Sequence, residues 1–394
     1  VPPTIEPFTI AVTDDALADL HMRLRATRWP DQLDDTTWEH GADLRTIQAL
    51  AHEWLHGFDW RAVESTLNAE LPGSTVTLGE HRVHVARVAR VERGTAPGAP
   101  AALPVVLLHG WPSSFVELRG VAARLAQLGH DVYVPSLPGH GFSSIPHRVG
   151  FGADACGALF VELLHALGLD RYVVHGGDRG AFVATSMGAL APDGLAGIHL
   201  SLPGGIPGEG ADRTAEEDAW LSDTAAWSAE EAGYSAIQGT KPQSLAYGMH
   251  DSPVATLAWL VEKHRGWIDR HDLDAVFTAE QLLTNASIYW FTGTFRSASH
   301  WYWEHRVQPP AAMRPVRIPV PTGVIRYPAE VMRTPRTAVA RKYDLVHWTD
   351  RPAGGHFPAY EDPDALAADI HRFAAIADAQ PAPARLSGHR REHP

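Results

Sequence analysis

Apolar positions along the 394-residue chain change their period twice. Through residues 1–70 they recur at three- and four-residue spacing: Leu17, Leu20 and Leu24, then a run within Leu44–Leu55, then a stretch from Phe58-Asp59-Trp60-Arg61 through Leu67. That period predicts three amphipathic helices and no strand. Asp14-Asp15 is placed to cap the first helix, and Thr27-Arg28-Trp29-Pro30-Asp31 to end it, because the residue before proline avoids the α region. From Thr75 the pattern alternates. Thr75–Leu78 and Arg82–Val88 flank a Gly79-Glu80 turn and read as a β-hairpin. Beyond a Pro/Gly/Ala loop at Gly94–Pro104, apolar strands at Val105–Leu108, 131–135, 171–175 and 196–201 alternate with helical stretches near 114–128, 153–168 and 179–190. This is the rhythm of a mostly parallel sheet with helices on both faces.

The rhythm stops at Pro203-Gly204-Gly205. Residues 205–310 carry Trp, Tyr, Ala and charges at helical spacing, and the strand pattern returns at Ile318–Ile325 and near Lys342–Trp348, before a last helix at Asp364–Ile376. The expected organisation is a helical N-terminal extension over 1–74, an α/β core over 75–204, a helical lid inserted over 205–310, the rest of the core over 311–378, and a disordered tail over 379–394.

Charge and cysteine content narrow the classes. Lys plus Arg number 33 against 46 Asp plus Glu, a formal charge of −13. Such a surface argues against nucleic acid and anionic membrane as partners. A single cysteine, Cys156, leaves no internal disulfide and no cysteine-based metal site, which suits a reducing cytoplasm. There is no targeting pattern and no apolar run of bilayer length, so a soluble protein is expected. A homodimer is allowed by the sequence without being read from it.

The candidate chemistry centres on Tyr172-Val173-Val174-His175-Gly176-Gly177-Asp178-Arg179-Gly180. A buried strand turning sharply into a helix strains its central residue, and small residues at Gly176 and Gly180 avoid collisions. This is the nucleophile-elbow layout of an α/β-hydrolase fold, with Asp178 where serine is usual. Other features fall in the matching chain order. His109-Gly110-Trp111-Pro112 follows a strand, so the Trp111 and Arg179 backbone N–H groups are placed as an oxyanion hole. His356, in Gly354-Gly355-His356-Phe357, fits the general base, and Glu330 the acid that orients it. Tyr234 and Tyr302, in the helical insertion, are placed to offer phenols to the site. His52-Glu53-Trp54-Leu55-His56 also fits the helical zinc signature H-E-x-x-H. No third-ligand motif follows it, so solvent-side histidines on an amphipathic helix are the preferred reading, with neither metal nor cofactor expected.

An aspartate nucleophile changes the reaction class. Attack on a carbonyl would leave a labile anhydride, whereas attack on an sp³ carbon leaves an alkyl ester that water can hydrolyse. Epoxide opening and carbon–halogen displacement both fit. The phenol pair favours the epoxide, whose oxygen needs a proton donor. A haloalkane-dehalogenase-like enzyme and a non-catalytic ligand-binding protein on this fold are the alternatives.

From Pro7-Phe8 to Ile370 the chain resembles the microsomal-type epoxide hydrolase family, in its soluble bacterial branch. The resemblance rests on Thr27-Arg28-Trp29-Pro30-Asp31, Phe58-Asp59-Trp60-Arg61, His109-Gly110-Trp111-Pro112, Pro135-Ser136-Leu137-Pro138-Gly139, Gly176-Gly177-Asp178, Gly239-Thr240-Lys241-Pro242, Asp251-Ser252-Pro253, Tyr289-Trp290-Phe291-Thr292-Gly293-Thr294 and Gly354-Gly355-His356-Phe357. It implies Asp178 as nucleophile, His356 as base, Glu330 as its acid, Tyr234 and Tyr302 as the ring-opening pair, and Trp111 and Arg179 at the oxyanion hole. It also implies an N-terminal segment that supports sheet and lid without doing chemistry. The partners implied are a small-molecule epoxide and water. Arg179 departs from the family, which usually has Trp there, as does Gly139-His140-Gly141 from the usual Gly-Tyr-Gly. General likeness further suggests a bulky natural-product epoxide of antibiotic (enediyne) biosynthesis.

Overall fold

The computed structural model describes residues 2–92 and 102–380. The expected loop at 94–104 lies mostly outside them, as does the expected tail beyond Gln380. Strands run β1 Thr4–Phe8, β2 Gly73–Leu78, β3 His81–Val88, β4 Val105–Leu108, β5 Val132–Pro135, β6 Tyr172–Gly176, β7 Leu195–Leu200, β8 Ile318–Arg326 and β9 Tyr343–Asp350. They form one sheet in the order β1-β2-β3-β5-β4-β6-β7-β8-β9. The ladders joining β5, β4, β6, β7, β8 and β9 are parallel, and those joining β1, β2, β3 and β5 are antiparallel. Helices α1 Asp14–Arg25, α2 Leu44–His56 and α3 Trp60–Glu70 precede β2. Three more, α4 Arg119–Gln127, α5 Ala153–Ala166 and α6 Asp178–Leu190, alternate with the central strands. Between β7 and β8 lie α7 Ala215–Glu231, α8 Gly233–Thr240, α9 Pro242–Asp251, α10 Pro253–Gly266, α11 Leu273–Val276, α12 Ala279–Thr292 and α13 Phe295–Val307. The chain closes with α14 Arg336–Lys342, α15 Pro358–Glu361 and α16 Pro363–Ala379.

The two-residue period of a strand explains the layering. In β4, Val106 and Leu108 join a core with Cys156, Phe160 and Leu163 of α5 and Val183, Ala184 and Met187 of α6. Val105 and Leu107 point the other way, toward Val121 and Leu125 of α4, Ile370 and Phe373 of α16, and Trp60 and Leu67 of α3. A third core joins α1 and α2, through Leu20, Leu24, Ile47, Leu50 and Trp54, to Leu257, Leu260 and Val261 of α10 and Leu282, Leu283 and Ala286 of α12. Trp54, wholly buried, donates its indole N–H to Ser287 Oγ at 2.9 Å. Helices α1 and α2 thus pack chiefly against the helices inserted between β7 and β8, whereas α3 packs on the sheet.

Three local readings change. The N-terminal segment does contain a strand: β1 pairs antiparallel with β2. It is an exposed edge, so burial imposes no alternation on it, and Pro7 is tolerated there. The side-chain cap of α1 is Thr13, which accepts from Ala16 N, while Asp14 and Asp15 occupy the first turn, where they complement the helix dipole. Lys342 ends a helix rather than beginning the last strand. Its buried ammonium donates to Ala311 O at 2.9 Å, a tertiary partner that no local pattern announces.

Strand order reverses about β4, since β5 lies on one side and β6 on the other. A crevice opens outside the carboxyl ends of strands at such a switch point. The segments after β4, β6, β8 and β9 carry Trp111, Asp178, Glu330 and His356. Helix α6 must leave β6 very close to β4 to bring the first two together. A Cβ on Gly180 would lie 2.1 Å from Leu108 O, and one on Gly176 would lie 2.3 Å from the Gly180 carbonyl carbon. Both obstacles are backbone. Gly180→Ala is therefore expected to lower unfolding free energy by about 3 kcal/mol, measured by denaturant titration.

Candidate active site

Asp178 has a left-handed backbone, φ 45°, at the junction of β6 and α6. A non-glycine residue in that region is strained, and the strain lifts the side chain clear of the sheet's edge. Its Oδ1 accepts from the Trp111 backbone N–H at 2.8 Å. The loop after β4 can come this close because position 110 is glycine: a Cβ there would sit 2.4 Å from Asp178 Cβ. The Trp111–Pro112 peptide is cis. Arg179, second residue of α6, has one of the first-turn N–H groups that helix geometry leaves without an intrahelical acceptor.

Opposite Oδ2, His356 Nε2 lies at 3.7 Å, and His356 Nδ1 meets Glu330 Oε1 at 2.6 Å. Glu330 Oε1 also accepts from Val331 N at 2.7 Å, which fixes the carboxylate. Above Asp178 the helices between β7 and β8 contribute an aromatic cluster. Tyr234, at the start of α8, stacks on Trp111 with ring centroids 5.2 Å apart and planes 4° apart. Tyr302, on α13, stands edge-on to both, 5.6 Å from each. All seven residues singled out from the sequence thus meet around one carboxylate.

Proteins similar to this chain can be named. Residues 5–118 match the family model described as the epoxide hydrolase N terminus, and residues 104–254 match that of the alpha/beta hydrolase fold. A protein of Stigmatella aurantiaca named "Putative epoxide hydrolase" is 35% identical over 93% of this chain and 84% of its own length. Epoxide hydrolase 1 of Oryctolagus cuniculus is 30% identical over 96% of this chain and 90% of its own. The chain belongs to the microsomal-type epoxide hydrolase family. The solved structure of Aspergillus niger epoxide hydrolase superposes with a TM-score of 0.83, at 28% identity, over 95% of this chain and 97% of that one. The protein is a hydrolase acting on epoxides, on an α/β-hydrolase fold. Among the described residues no helix is long and apolar enough to cross a membrane.

Two further residues of this epoxide hydrolase border the site. Trp267 stands 4.9 Å from His356, edge to face, and its carbonyl accepts the His356 backbone N–H at 2.9 Å. Glu117 lines a cavity of about 20 Å³ together with Ser113, His175, Asp178 and His356. That is room for roughly one water molecule. Burial raises the Glu117 carboxyl to about 7, and the proximity of His356 opposes the rise. Neither residue sits in a pattern that spacing could expose. Each reaches the site by a turn whose direction is set by packing.

The H-E-x-x-H residues lie elsewhere. His52, Glu53 and His56 are exposed on α2, while Trp54 packs inward. Among the described residues the one group with metal-ligand proximity is His199, His347 and Asp369. Asp369 Oδ2 lies 3.0 Å from His199 Nε2 and 3.1 Å from His347 Nε2, and its Oδ1 accepts from Thr349 and Arg372. Those are hydrogen-bond separations, and they already satisfy the carboxylate.

Burial disfavours a charged imidazole at position 356, but Glu330 in contact, then Asp178 and Glu117, outweigh it and raise His356 to about 9. Because the folded value exceeds the ordinary 6.5, the pair's contribution to stability is full below about pH 6.5 and fades as pH rises through about 9. Glu330→Gln is expected to lower the His356 value by about two units, read from ring-nitrogen NMR titration. The stability difference between the two proteins should be greatest below pH 6.5.

Proposed function

We propose that the enzyme opens its epoxide through a covalent ester on Asp178. The observation that carries this is the Asp178 carboxylate itself, at a strained turn, with one oxygen 2.8 Å from the Trp111 N–H and the other 3.7 Å from His356 Nε2, beneath two phenols. In the proposed reaction Tyr234 and Tyr302 hydrogen-bond the epoxide oxygen while a carboxylate oxygen attacks a ring carbon. The ring C–O bond breaks, its electron pair goes to the departing oxygen, and a phenol supplies the proton. Alkylation removes the negative charge that helped hold His356 protonated. The imidazole becomes easier to deprotonate at the moment a base is needed, with Glu330 still orienting it. Water in the cavity beside His356 then loses a proton to it and attacks the ester carbonyl. The tetrahedral oxyanion falls to the N–H groups of Trp111 and Arg179. The tetrahedral intermediate collapses as the bond from the Asp178 carbonyl carbon to the diol oxygen breaks, and that oxygen takes the proton of the added hydroxyl. A vicinal diol leaves with the carboxylate restored, the phenolate having taken the proton that His356 gave up before hydrolysis. The helices α7 to α13 act as a lid. This scheme uses neither metal nor cofactor. The phenol pair over the nucleophile favours this reading over the haloalkane-dehalogenase alternative.

For the substrate we propose a bulky natural-product epoxide, with antibiotic (enediyne) biosynthesis as the setting. The suggestion rests on likeness of sequence; the groove of about 690 Å³ beside Glu330 is lined by none of Asp178, His356, Tyr234 and Tyr302. A polycyclic epoxide should then exceed styrene oxide in kcat/KM; the reverse order would remove the substrate proposal.

The covalent route has its own test. In a single turnover of styrene oxide in ¹⁸O-water, the first diol should carry unlabelled oxygen from Asp178, and label at once would overturn the route. His356→Gln should give one equivalent of trapped alkyl-enzyme without turnover. Tyr234→Phe and Tyr302→Phe should each slow alkylation by about 100-fold in stopped-flow measurements.

A further inference from the structure

Arg179 directly follows the elbow carboxylate, and its side chain has an unusual setting. It is only 5% exposed. Its guanidinium carbon lies 3.6 Å from the centroid of the Tyr302 ring. One Nη contacts His305 Nδ1, and Nε has no partner among the described residues. The described ion pairs include none between Arg179 and a carboxylate. A cation buried in this way needs compensation from its surroundings. Here that comes from the π face and phenol of Tyr302, the lone pair of a neutral His305 and the nearby negative charge of Asp178. Burial and Arg179 itself both hold His305 well below its ordinary value, so its ring nitrogen is free to accept.

Lys263 offers the instructive contrast. Its ammonium sits 4.9 Å from the centroid of the Tyr234 ring, but it pairs with Glu262 at 2.8 Å and faces Glu231 at 3.9 Å. Its charge is largely neutralised by those partners. The two tyrosines, symmetric in the hydrogen bonds they can offer an epoxide, are therefore not symmetric in electrostatics.

We propose that Arg179 is a positioning residue that makes Tyr302 the proton donor of ring opening, leaving Tyr234 to hold the epoxide oxygen by a hydrogen bond alone. This rests on the mechanism above. When an Asp178 oxygen bonds to the ring carbon and the ring C–O bond breaks, the departing oxygen takes the Tyr302 proton, and negative charge passes from carboxylate to phenolate. Arg179 lies beside both ends of that transfer and does not have to move. Tyr302 faces Arg179 and Asp178 from the elbow, Tyr234 from α8, Tyr289 from α12 and His305 from its own helix; Lys263 of α10 lies against Tyr234. Burial pushes both phenols up and the guanidinium opposes the rise at both, second only to burial at Tyr302, whose ring it lies against, but behind the Tyr302 and Asp178 charges at Tyr234.

The test is stopped-flow alkylation by styrene oxide, followed separately from ester hydrolysis. Arg179→Met, which keeps the backbone N–H assigned to the oxyanion hole, should slow alkylation by about 100-fold and slow hydrolysis of the preformed ester by at least about tenfold less, while Arg179→Lys recovers part of the loss. Arg179→Gln, which keeps hydrogen bonding and most of the volume, serves if the Met variant does not fold. Tyr302→difluorotyrosine, whose phenol is intrinsically more acidic, should restore at least about tenfold of the rate in the charge-free variant, and Tyr234→difluorotyrosine should not. Equal slowing by Arg179→Gln in parent and Tyr302→Phe backgrounds, or no rescue by the fluorinated residue at 302, would overturn the proposal. If Tyr302→Phe alone alkylates as fast as the parent, the tyrosine reading itself fails, and the two failures are thus distinguishable.

Discussion

A carboxylate held in a left-handed turn at the reversal point of a parallel sheet governs this molecule. Asp178 reaches the crevice because β6 ends beneath it and α6 begins with it, and because the backbone of Gly180 lies against Leu108 O, where no side chain fits. The same approach brings the loop after β4 over the Asp178 carboxylate, so the Trp111 N–H meets one oxygen at 2.8 Å. Two strands further on, β8 and β9 end in the loops that carry Glu330 and His356 to the other oxygen. The chemistry is thus assembled from four strand ends, and the register of one sheet fixes their spacing.

Charge is distributed around that carboxylate so that each group is set by its neighbours. Glu330, with Asp178 and Glu117 behind it, holds the buried His356 imidazole above its ordinary value. The proposed alkylation removes one of those anions. A base that is poor before the first step becomes better after it, without any movement of the ring. Glu117 lies on the same small cavity as a carboxyl poised near neutrality, so the water site is bordered by groups whose protonation depends on one another.

The ceiling of the site depends on packing far from it. Tyr234 and Tyr302 come from separate helices, α8 and α13, and meet over Trp111 as a stacked and edge-on cluster. The helices that carry them pack on each other and on α9, which leads to α10 and α12, and these rest on Leu20, Leu24, Ile47, Leu50 and Trp54. The N-terminal helices therefore bear on the site at second hand, through the apolar core they complete beneath the inserted helices.

The sequence by itself determined the layer architecture, because strand and helix periods differ and each central strand is apolar on both faces. It also marked, in chain order, the seven candidate residues that the structure brings together, since an elbow, a strand-end loop and a late histidine are local patterns. What escaped it were features whose cause is distant. The exposed edge strand Thr4–Phe8 has no burial to write a pattern, and Lys342 was misassigned because its partners are carbonyls of a segment some thirty residues away. Glu117 and Trp267 enter the site through turns set by packing. Above all, the sequence could name Arg179 as a departure but not aim its guanidinium. Only the tertiary structure decided that the cation lies on Tyr302, because a long side chain's direction is settled by what the neighbouring helices leave unfilled.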